Sequence, residues 1–410
     1  MGYLGLDDTD SLIGGCTTHL FSKIIGNLPD YATMIGLPRL VRLYPFAQRR
    51  TRGNAAVCAE IVIKDGSEDD WLKFLDELWE TELRNYVGVV AESEHNNREQ
   101  YPSDPGLVWF DKQPDRKFYY SCVRREVKAN RLPTALFSRG GHGLIGATAA
   151  CAWPMAFVTY ETIAYRVESN IGTQRKICSE TLRQIDVIDG TFWSRDPSNG
   201  KGLIAPRGPC PVLFGIRARD AQTSEMASKK MINSEDCEQV DFITTFTTNQ
   251  CSDDHISGIN TGVVKEINVL KNGHVALIVN KKTWMAFRSS GDVKNLAQSL
   301  RKGDELSAKG LWKDSQTLHL EKLMISKAVP RDRKRPLCTD CNVRTKSMGK
   351  DQGVRCPSCG ERFRASWEYS STEELEGIWS QPPLDSRRHL AKPVEWDQDF
   401  RKKHILLANG

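Results

Sequence analysis

Two groups of residues in this chain have the types and spacing to do chemistry. The first is Asp7, Asp8 and Asp10, followed by Gly14-Gly15-Cys16-Thr17-Thr18. Carboxylates this close repel one another unless a cation, Lys or Arg neutralises them. Mg2+ takes oxygen ligands and keeps several waters, so one or two of these carboxylates can hold it against nucleotide phosphates. The glycines and hydroxyls that follow offer donors to the same anions. No Gly-Lys-Ser/Thr follows a glycine-rich run, so this is not a Walker A loop. A solvated turn with an Asp or Ser cap fits the same residues, and the residues alone leave both readings open. The second group is Cys338-x-x-Cys341, fourteen residues, then Cys356-x-x-Cys359. Two such knuckles close a tetrahedral thiolate site, and four protein ligands leave no open position, which predicts structural rather than catalytic zinc. Gly360 permits the tight turn after the second pair.

Weaker signals lie between them. Gly140-Gly141-His142-Gly143-Leu144-Ile145-Gly146 runs into a helix of small residues, as a phosphate cradle or a tight helix–sheet packing turn would. His142 fits capping or hydrogen bonding better than catalysis. Phe246 to His255 is rich in donors and reads as a binding loop or a linker. Residues 331–364 hold ten Lys or Arg against four Asp or Glu, a patch suited to phosphate backbone.

These groups need elements to position them. Residues 3–6 read as a strand and 19–28 as a helix, with Leu20, Ile24, Ile25 and Leu28 on one face. The plan strand, acidic loop, helix puts carboxylates at a sheet edge facing a helix N-terminus. Strands are expected within 35–63, at 156–167 and at 212–217, and helices at 71–86 and 220–236. Residues 95–106 and 192–211 read as loops, and 118–131 as either strand or helix. From Ser257 five short alternating strands with one helix among them give the order of an OB barrel. Residues 365–410 read as a wrapping extension.

Composition sets the class. The chain has 410 residues, 39% hydrophobic and 27% charged, with net charge +5, which suits several small domains and is compatible with a nucleic-acid partner. There is no run of about 18 apolar residues and no secretory signal, so no membrane partner and a cytoplasmic location are expected. Of twelve cysteines four are clustered and eight scattered, which reads as one metal site and reduced thiols.

Several segments together resemble the archaeal tRNA(Ile) 2-agmatinylcytidine synthetase family. They are Gly5-Leu6-Asp7-Asp8-Thr9-Asp10-Ser11 with Gly15-Cys16-Thr17-Thr18, Gly36 to Leu43, Thr51-Arg52-Gly53-Asn54, Gly143 to Ala147, Tyr160 to Arg166, Gly208 to Arg217, Thr248-Asn249-Gln250, the cysteine knuckles and Arg387-Arg388-His389-Leu390. The resemblance runs in order over nearly the whole chain. It implies an α+β multi-domain fold: a kinase-like catalytic domain (1–60 and 130–195), a ferredoxin-like domain (61–129 and 196–255), an OB fold (256–330) and a zinc ribbon with a C-terminal extension (331–410). It implies a ligase that replaces the C2 oxygen of the wobble cytidine of a CAU-anticodon isoleucine tRNA by agmatine, with ATP going to AMP, so that the tRNA reads AUA. Making the C2 oxygen a phosphate ester turns a poor leaving group into a good one, and the base must leave the anticodon stack to be reached.

By the same resemblance Asp7, Asp8, Asp10 and Thr18 are catalytic, Thr18 being the self-phosphorylated threonine. Gly15, Cys16, Thr17, Thr18, Arg39, Arg52, Gly143 and Gly146 bind ATP with Mg2+. Tyr160, Glu161, Gly208, Pro209, Cys210, Asn249 and Gln250 line the agmatine or base pocket. Agmatine carries a guanidinium and an amine, so that pocket should supply carboxylates or carbonyl oxygens. Arg333, Lys334, Arg335, Arg387 and Arg388 contact RNA, and Cys338, Cys341, Cys356 and Cys359 hold Zn2+. The competing functions are a non-catalytic RNA-binding protein, which would not need Asp7, Asp8, Asp10 and Thr18 together, and another ATP-dependent RNA-modifying kinase.

Overall fold

The structure is a computed structural model. It describes residues 1–10, 15–50, 53–88, 101–197, 199–206, 208–331, 333–349, 352–364, 368–369 and 372–396. The chain forms two compact units, Met1–Ser257 with Arg387–Gly410, and Gly258–Ser386. Among the described residues no helix is long and apolar enough to cross a membrane.

The first unit is built on one eight-stranded sheet. Its strands are β1 (Gly2–Asp7), β2 (Ala32–Arg42), β3 (Ala55–Ile63), β4 (Gly106–Phe110), β5 (Phe137–Gly140), β6 (Thr159–Arg166), β7 (Val212–Ala218) and β8 (Val240–Thr248), in the order β5-β4-β1-β3-β2-β8-β6-β7. Around β1 both faces of the sheet are covered. Leu4 and Leu6 point to one face, where α1 (Thr17–Gly26) and α2 (Glu68–Thr81) supply Leu20, Phe21, Ile24, Trp71 and Leu75. The alternate residues point the other way, onto α3 (Arg116–Arg124) and the small-residue helix α4 (Gly143–Cys151). Asp7 therefore faces α4. The parallel contact of Arg39 and Leu40 with Thr247 and Thr248 joins this half of the sheet to β8, β6 and β7, over which α5 (Ser179–Asp186) and α6 (Ala221–Ile232) pack with Leu182, Ile185, Ala227 and Met231.

Residues 118–131, which by sequence fit a strand or a helix, take the helical alternative, holding most of α3 and a short 3-10 turn. Three segments depart from the sequence reading. The strand β4 lies outside the sequence expectation, because its five residues lack alternation and are buried on both faces. The strand β8 ends in Thr245-Phe246-Thr247-Thr248, and the hydroxyls of Thr248 and Thr245 bond across to Thr159 and Thr162. The helix α6 stops at Ile232, short of 236.

The second unit holds a closed barrel of β9 (Asn260–Val269), β10 (Val275–Val279), β11 (Lys282–Ala286), β12 (Glu305–Trp312) and β13 (Thr317–Lys327) in the order β10-β11-β13-β12-β9, with α7 (Asp292–Ser299) between β11 and β12. This is the strand and helix sequence expected of an OB barrel, with β11 and β13 parallel. Val275, Leu277, Val279, Trp284, Leu318 and Leu320 fill it, and Val293 and Ala297 of α7 pack against them. The ribbon follows: β14 (Arg333–Lys334) pairs with β18 (Glu368–Tyr369), and β15 (Lys346–Ser347), β16 (Val354–Arg355) and β17 (Arg362–Phe363) form a small sheet. The C-terminal extension divides between the units. Gly377 and Ser380 bond to β13, whereas Leu390, Ala391 and Val394 are buried in the first unit.

The close approach of α4 to the sheet depends on glycine. A Cβ on Gly106 would sit 1.9 Å from the backbone nitrogen of Leu144, where nothing flexible can yield. Gly106→Ala should therefore destabilise the first unit by ~3 kcal/mol, the upper end of overpacking costs. A denaturant titration checks this, and an unchanged midpoint contradicts it.

Candidate active site

The turn after β1 gathers its carboxylates by backbone geometry. Asp8 adopts a left-handed conformation, φ 61°, which costs an Asp less than most residues. The Asp8 N–H donates to Asp7 Oδ1 at 2.7 Å, and the Asp104 N–H donates to Asp8 Oδ2 at 3.3 Å. Asp10 Oδ1 accepts from both the N–H and the hydroxyl of Thr17, at 2.6 and 2.7 Å, and so anchors the first turn of α1. Thr9 donates to the same Thr17 hydroxyl. Gly15, φ 75°, passes so close to Thr9 that a Cβ would lie 2.4 Å from its carbonyl oxygen. Thr18 is half-buried on α1, its hydroxyl 3.1 Å from Cys16 Sγ.

Electrostatics mark this turn as short of positive charge. Burial, with Asp8 and Asp10 beside it, pushes Asp7 well above the usual carboxylate range. Burial first and then Asp10 push Asp8 up to about 7, against the opposing effect of the Asp104 N–H and Arg49. Burial, then Asp10 and Cys210, push the Cys16 thiol up to about 12. The donor set is carboxylate oxygen, the kind a hard divalent cation takes. On its other side lies α4: a Cβ on Gly146 would meet Asp7 Oδ2 at 1.8 Å. Asp104 caps that helix, accepting from the His142 N–H at 2.7 Å and, through its carbonyl, from the Gly143 N–H at 2.8 Å.

A cleft opens from Asp7 and Asp8 along Gly146, with Arg49, Arg50 and Arg125 among its lining. Arg49 is tied to Asp104 at 3.7 Å, to the Pro102 carbonyl at 3.2 Å and to the Tyr101 ring. Sequence reasoning missed Asp104, Arg49, Arg50 and Arg125, which lie far from Asp7 in the chain. The adjacent Arg49-Arg50 pair was the one available signal. His142 lines the cleft too; burial first and then Arg49 lower its pKa.

The remaining site residues fall in several places. Arg52 lies outside the described residues. Arg39 turns away from the carboxylates, to Glu60 at 3.2 Å and the Tyr3 ring at the opposite end of β1. Tyr160 is half-buried on β6. Glu161, next to it, is buried between Arg217 (3.2 Å) and Arg42 (3.5 Å) and accepts from Gln250 Nε2 at 2.6 Å. Burial raises its pKa, but Arg217 and Arg42 outweigh that and hold it below the usual range. Its charge is thus met within the protein. The Asn249 side chain mimics a strand partner for Arg42, accepting from its N–H at 2.8 Å and donating to its carbonyl at 2.9 Å. Both Asn249 and Gln250 are fully buried. Gly208 and Cys210 belong to a loop ahead of β7, with Cys210 buried and near Cys16. Arg387 and Arg388 sit in the first unit, where Arg388 stacks on Phe46, 4.5 Å from its ring centre.

In the second unit the thiols of Cys338, Cys341, Cys356 and Cys359 lie within 4.8 Å of one another, Cys338 and Cys359 at 3.7 Å. Zn–S bonds of ~2.3 Å in a tetrahedron require sulfurs about 3.8 Å apart, so the four residues fit zinc. The Cys359 and Ser358 N–H groups point at Cys356 Sγ and bring its pKa down to about 7, favouring the thiolate a metal needs. On the small sheet Lys346 pairs with Arg355 and Arg355 with Arg362, all three exposed, a cross-strand row of like charge. Such a row is unfavourable in isolation. Lys334 and Arg335 are exposed just before it; of Arg333 the backbone position in β14 is described.

Family models described as the TiaS TCKD domain, the TiaS FLD domain and the TiaS C-terminal zinc ribbon domain match residues 3–143, 141–255 and 335–372. The chain is 30% identical to the isoleucine-tRNA 2-agmatinylcytidine synthetase TiaS of Methanopyrus kandleri over 96% of both chains. It is 31% identical to that of Methanosarcina acetivorans over 97% of this chain and 98% of the relative. It is similar to the crystal structure of a complex of TiaS with isoleucine tRNA and ATP (28% identity, TM-score 0.76, 97% of each chain). It is also similar to that of a complex of TiaS with isoleucine tRNA, AMPCPP and agmatine (26% identity, TM-score 0.73, 97% of each chain).

The raised pKa of Asp8 has a consequence for stability. Its folded value, about 7, lies above the ordinary 3.8, so the carboxyl adds stability that is complete below the ordinary value and is lost as pH rises through the folded one. Asp8→Asn, which keeps the neutral form, should be more stable than the wild type at pH 8 without added divalent cation and equal to it at pH 3.5. Paired thermal melts check this, and a difference that does not change with pH contradicts it.

Proposed function

The chain belongs to the TiaS family of isoleucine-tRNA 2-agmatinylcytidine synthetases, and on that premise we propose that it uses ATP to join agmatine to C2 of the wobble cytidine of CAU-anticodon isoleucine tRNA. The observation that carries this reading is a cleft lined by Asp7 and Asp8, short of positive charge and with Asp10 at the same turn, together with Arg49, Arg50 and Arg125. A pure RNA-binding protein has no need of that arrangement. Phosphoryl transfer does: it needs carboxylates for a cation and guanidinium groups for the phosphate charge.

The carboxylates of Asp7, Asp8 and Asp10 would hold Mg2+, which when bound offsets charge on the transferring phosphoryl group. Arg49, Arg50 and Arg125 orient the triphosphate, and Gly143 and Gly146, whose Cβ positions would meet Asp7, let α4 close on the carboxylate turn. Water breaks the α–β phosphoanhydride of ATP and AMP leaves; the terminal phosphoryl group passes to the C2 oxygen of the cytidine as the bond to its neighbouring phosphate breaks, and that phosphate leaves as inorganic phosphate. The amine nitrogen of agmatine then attacks C2, the C2–N bond forms, the C2–O bond breaks and inorganic phosphate departs with that oxygen. Thr18, beside Cys16 at the same turn, receives a phosphoryl group as the family's self-phosphorylated threonine does. Tyr160 and the Gly208-Pro209-Cys210 loop face this chemistry as the agmatine or base pocket. Glu161 and Asn249 support that pocket from behind, because their polar groups are engaged with Arg42, Arg217 and Tyr119, and Gln250 braces Glu161 through Nε2.

For the domains we assign a kinase-like and a ferredoxin-like part to the first unit, and an OB fold and zinc ribbon to the second. The contiguous ranges 3–143 and 141–255 support a simpler division than the interleaved segments expected from the sequence. A cytosolic place fits an enzyme acting on tRNA. The row Lys346, Arg355, Arg362, with Lys334 and Arg335 nearby, supports a phosphate-backbone contact by the ribbon, and Arg387 and Arg388 a second, smaller contact by the first unit.

Two outcomes are expected. AMP release by the wild-type protein should require tRNA and agmatine together, and Asp8→Ala should abolish it while tRNA binding persists. An RNA-binding protein releases none, an unrelated kinase releases ADP without agmatine, and full turnover by Asp8→Ala removes the metal assignment. Replacing Lys346, Arg355 and Arg362 together by Ala should weaken tRNA binding and lower the slope of log K against log salt by roughly 2–3, about 0.7–0.9 for each lost phosphate contact. An unaltered slope, measured by filter binding across a salt series, contradicts the ribbon contact.

A further inference from the structure

Arg166 at the end of β6 and Arg175 in the segment between β6 and α5 organise backbone rather than decorate the surface. Arg166 is buried and grips Glu238 with Nε at 2.6 Å and Nη2 at 3.0 Å, and it donates to the Thr173 carbonyl at 3.0 Å. Glu238 also accepts from the Lys176 N–H at 2.9 Å. Residues 173–176 are held in this way, and so is the base of Arg175. The Arg175 side chain reaches the loop ahead of β7. Its Nε donates to the Val212 carbonyl at 2.9 Å, its Nη1 to Pro206 at 3.0 Å, and its Nη2 to Gly208 at 2.8 Å and Cys210 at 3.2 Å. Four carbonyls from alternate residues thus converge on one guanidinium. Without a cation among them their dipoles repel, and the loop, with prolines at 206, 209 and 211, has few amide hydrogens with which to build another structure.

We propose that Arg175 is a positioning residue for the reaction: its guanidinium is the template around which Pro206 and residues 208–212 fold, so that Gly208, Pro209 and Cys210 stand beside the Cys16–Thr18 turn. Cys210 is buried and close enough to Cys16 to help push that thiol's pKa up, and Cys16 Sγ is 3.1 Å from the Thr18 hydroxyl. Displacing the loop therefore disturbs the wall of the pocket without touching the carboxylates. The proposal rests on the reading of this loop as part of the agmatine or base pocket. Lysine cannot replace Arg175, because a point charge with three donors does not span a planar fork of carbonyls.

The test uses the full chain as wild type, Arg175→Ala and Arg175→Lys, each with and without millimolar guanidinium chloride. Cys210 alkylation is followed by peptide mass, and the agmatine KM and kcat and the tRNA affinity are measured beside it. In Arg175→Ala, Cys210 should be labelled at least ~10-fold faster and the agmatine KM should rise ~10-fold, the scale of a misplaced binding group, with tRNA affinity unchanged. Free guanidinium should restore both. Arg175→Lys should show the same loss without rescue, and it stands in if Arg175→Ala does not fold. Unchanged protection of Cys210 in both variants overturns the templating role. Lost protection with an unchanged agmatine KM overturns the loop's place in the reaction. A wild-type protein that shows no agmatine-dependent AMP release sinks the functional reading itself, while Cys210 labelling still decides whether Arg175 shapes the loop.

Discussion

The first unit is organised around an unfavourable arrangement: carboxylates buried at the end of β1 with too little positive charge beside them. Asp7 points at the close-packed start of α4, Asp8 is turned by its left-handed backbone toward Asp104, and Asp10 is committed to Thr17. Burial raises the pKa of Asp7 and Asp8 because the charged forms lose water and gain too little counter-charge, Arg49 offsetting only part of the cost at Asp8. A fold that served stability alone would have removed that cost by substitution. Here the surrounding structure holds it in place, with Gly106 and Gly146 letting α4 press against the strand ends. Strain and uncompensated charge concentrated at one cleft are features expected of a site that a cation and an anionic substrate complete.

Much of this was legible in the sequence because it is local. The strand, acidic loop and helix at the start, the paired cysteine knuckles and the alternating strands of the barrel each express a short-range rule. What was not legible depends on distant parts meeting. Asp104 reaches Asp8 and His142 from a segment that reads as loop, and nothing near Asp7 in the chain announces Arg49 or Arg125. Asn249 and Gln250 look like binding residues because they are polar and clustered. In the fold they are buried, and Asn249 serves as a side-chain substitute for backbone pairing with Arg42. Glu161 looks like a receptor for a cationic ligand until Arg42 and Arg217 are found on it. The strand β4 was hidden because a strand buried on both faces lacks the alternation by which strands are read.

The chemistry asks for opposite charges at adjoining places. A triphosphate needs cations around it, whereas agmatine, itself cationic, needs oxygen acceptors. Under the proposed reading the first unit meets these demands with different residues: Arg49, Arg50 and Arg125 line the cleft with Asp7 and Asp8, and the loop holding Cys210, near Cys16, serves the agmatine or base. The zinc ribbon contributes in another way. Its four cysteines, spaced to hold zinc, would fix three short strands that could not hold a core of their own, and the exposed row of Lys346, Arg355 and Arg362 is the proposed surface for phosphate.

The most direct test of the central claim is to follow Mn2+ as a spectroscopic substitute for Mg2+ by electron paramagnetic resonance, with a non-hydrolysable ATP analogue. The account predicts a bound Mn2+ signal that forms with nucleotide in the wild-type protein and is lost when Asp7, Asp8 and Asp10 are replaced together by Asn, the zinc content staying constant. The same signal, at the same affinity, in the triple variant would mean that metal and nucleotide bind elsewhere, and the account would fail.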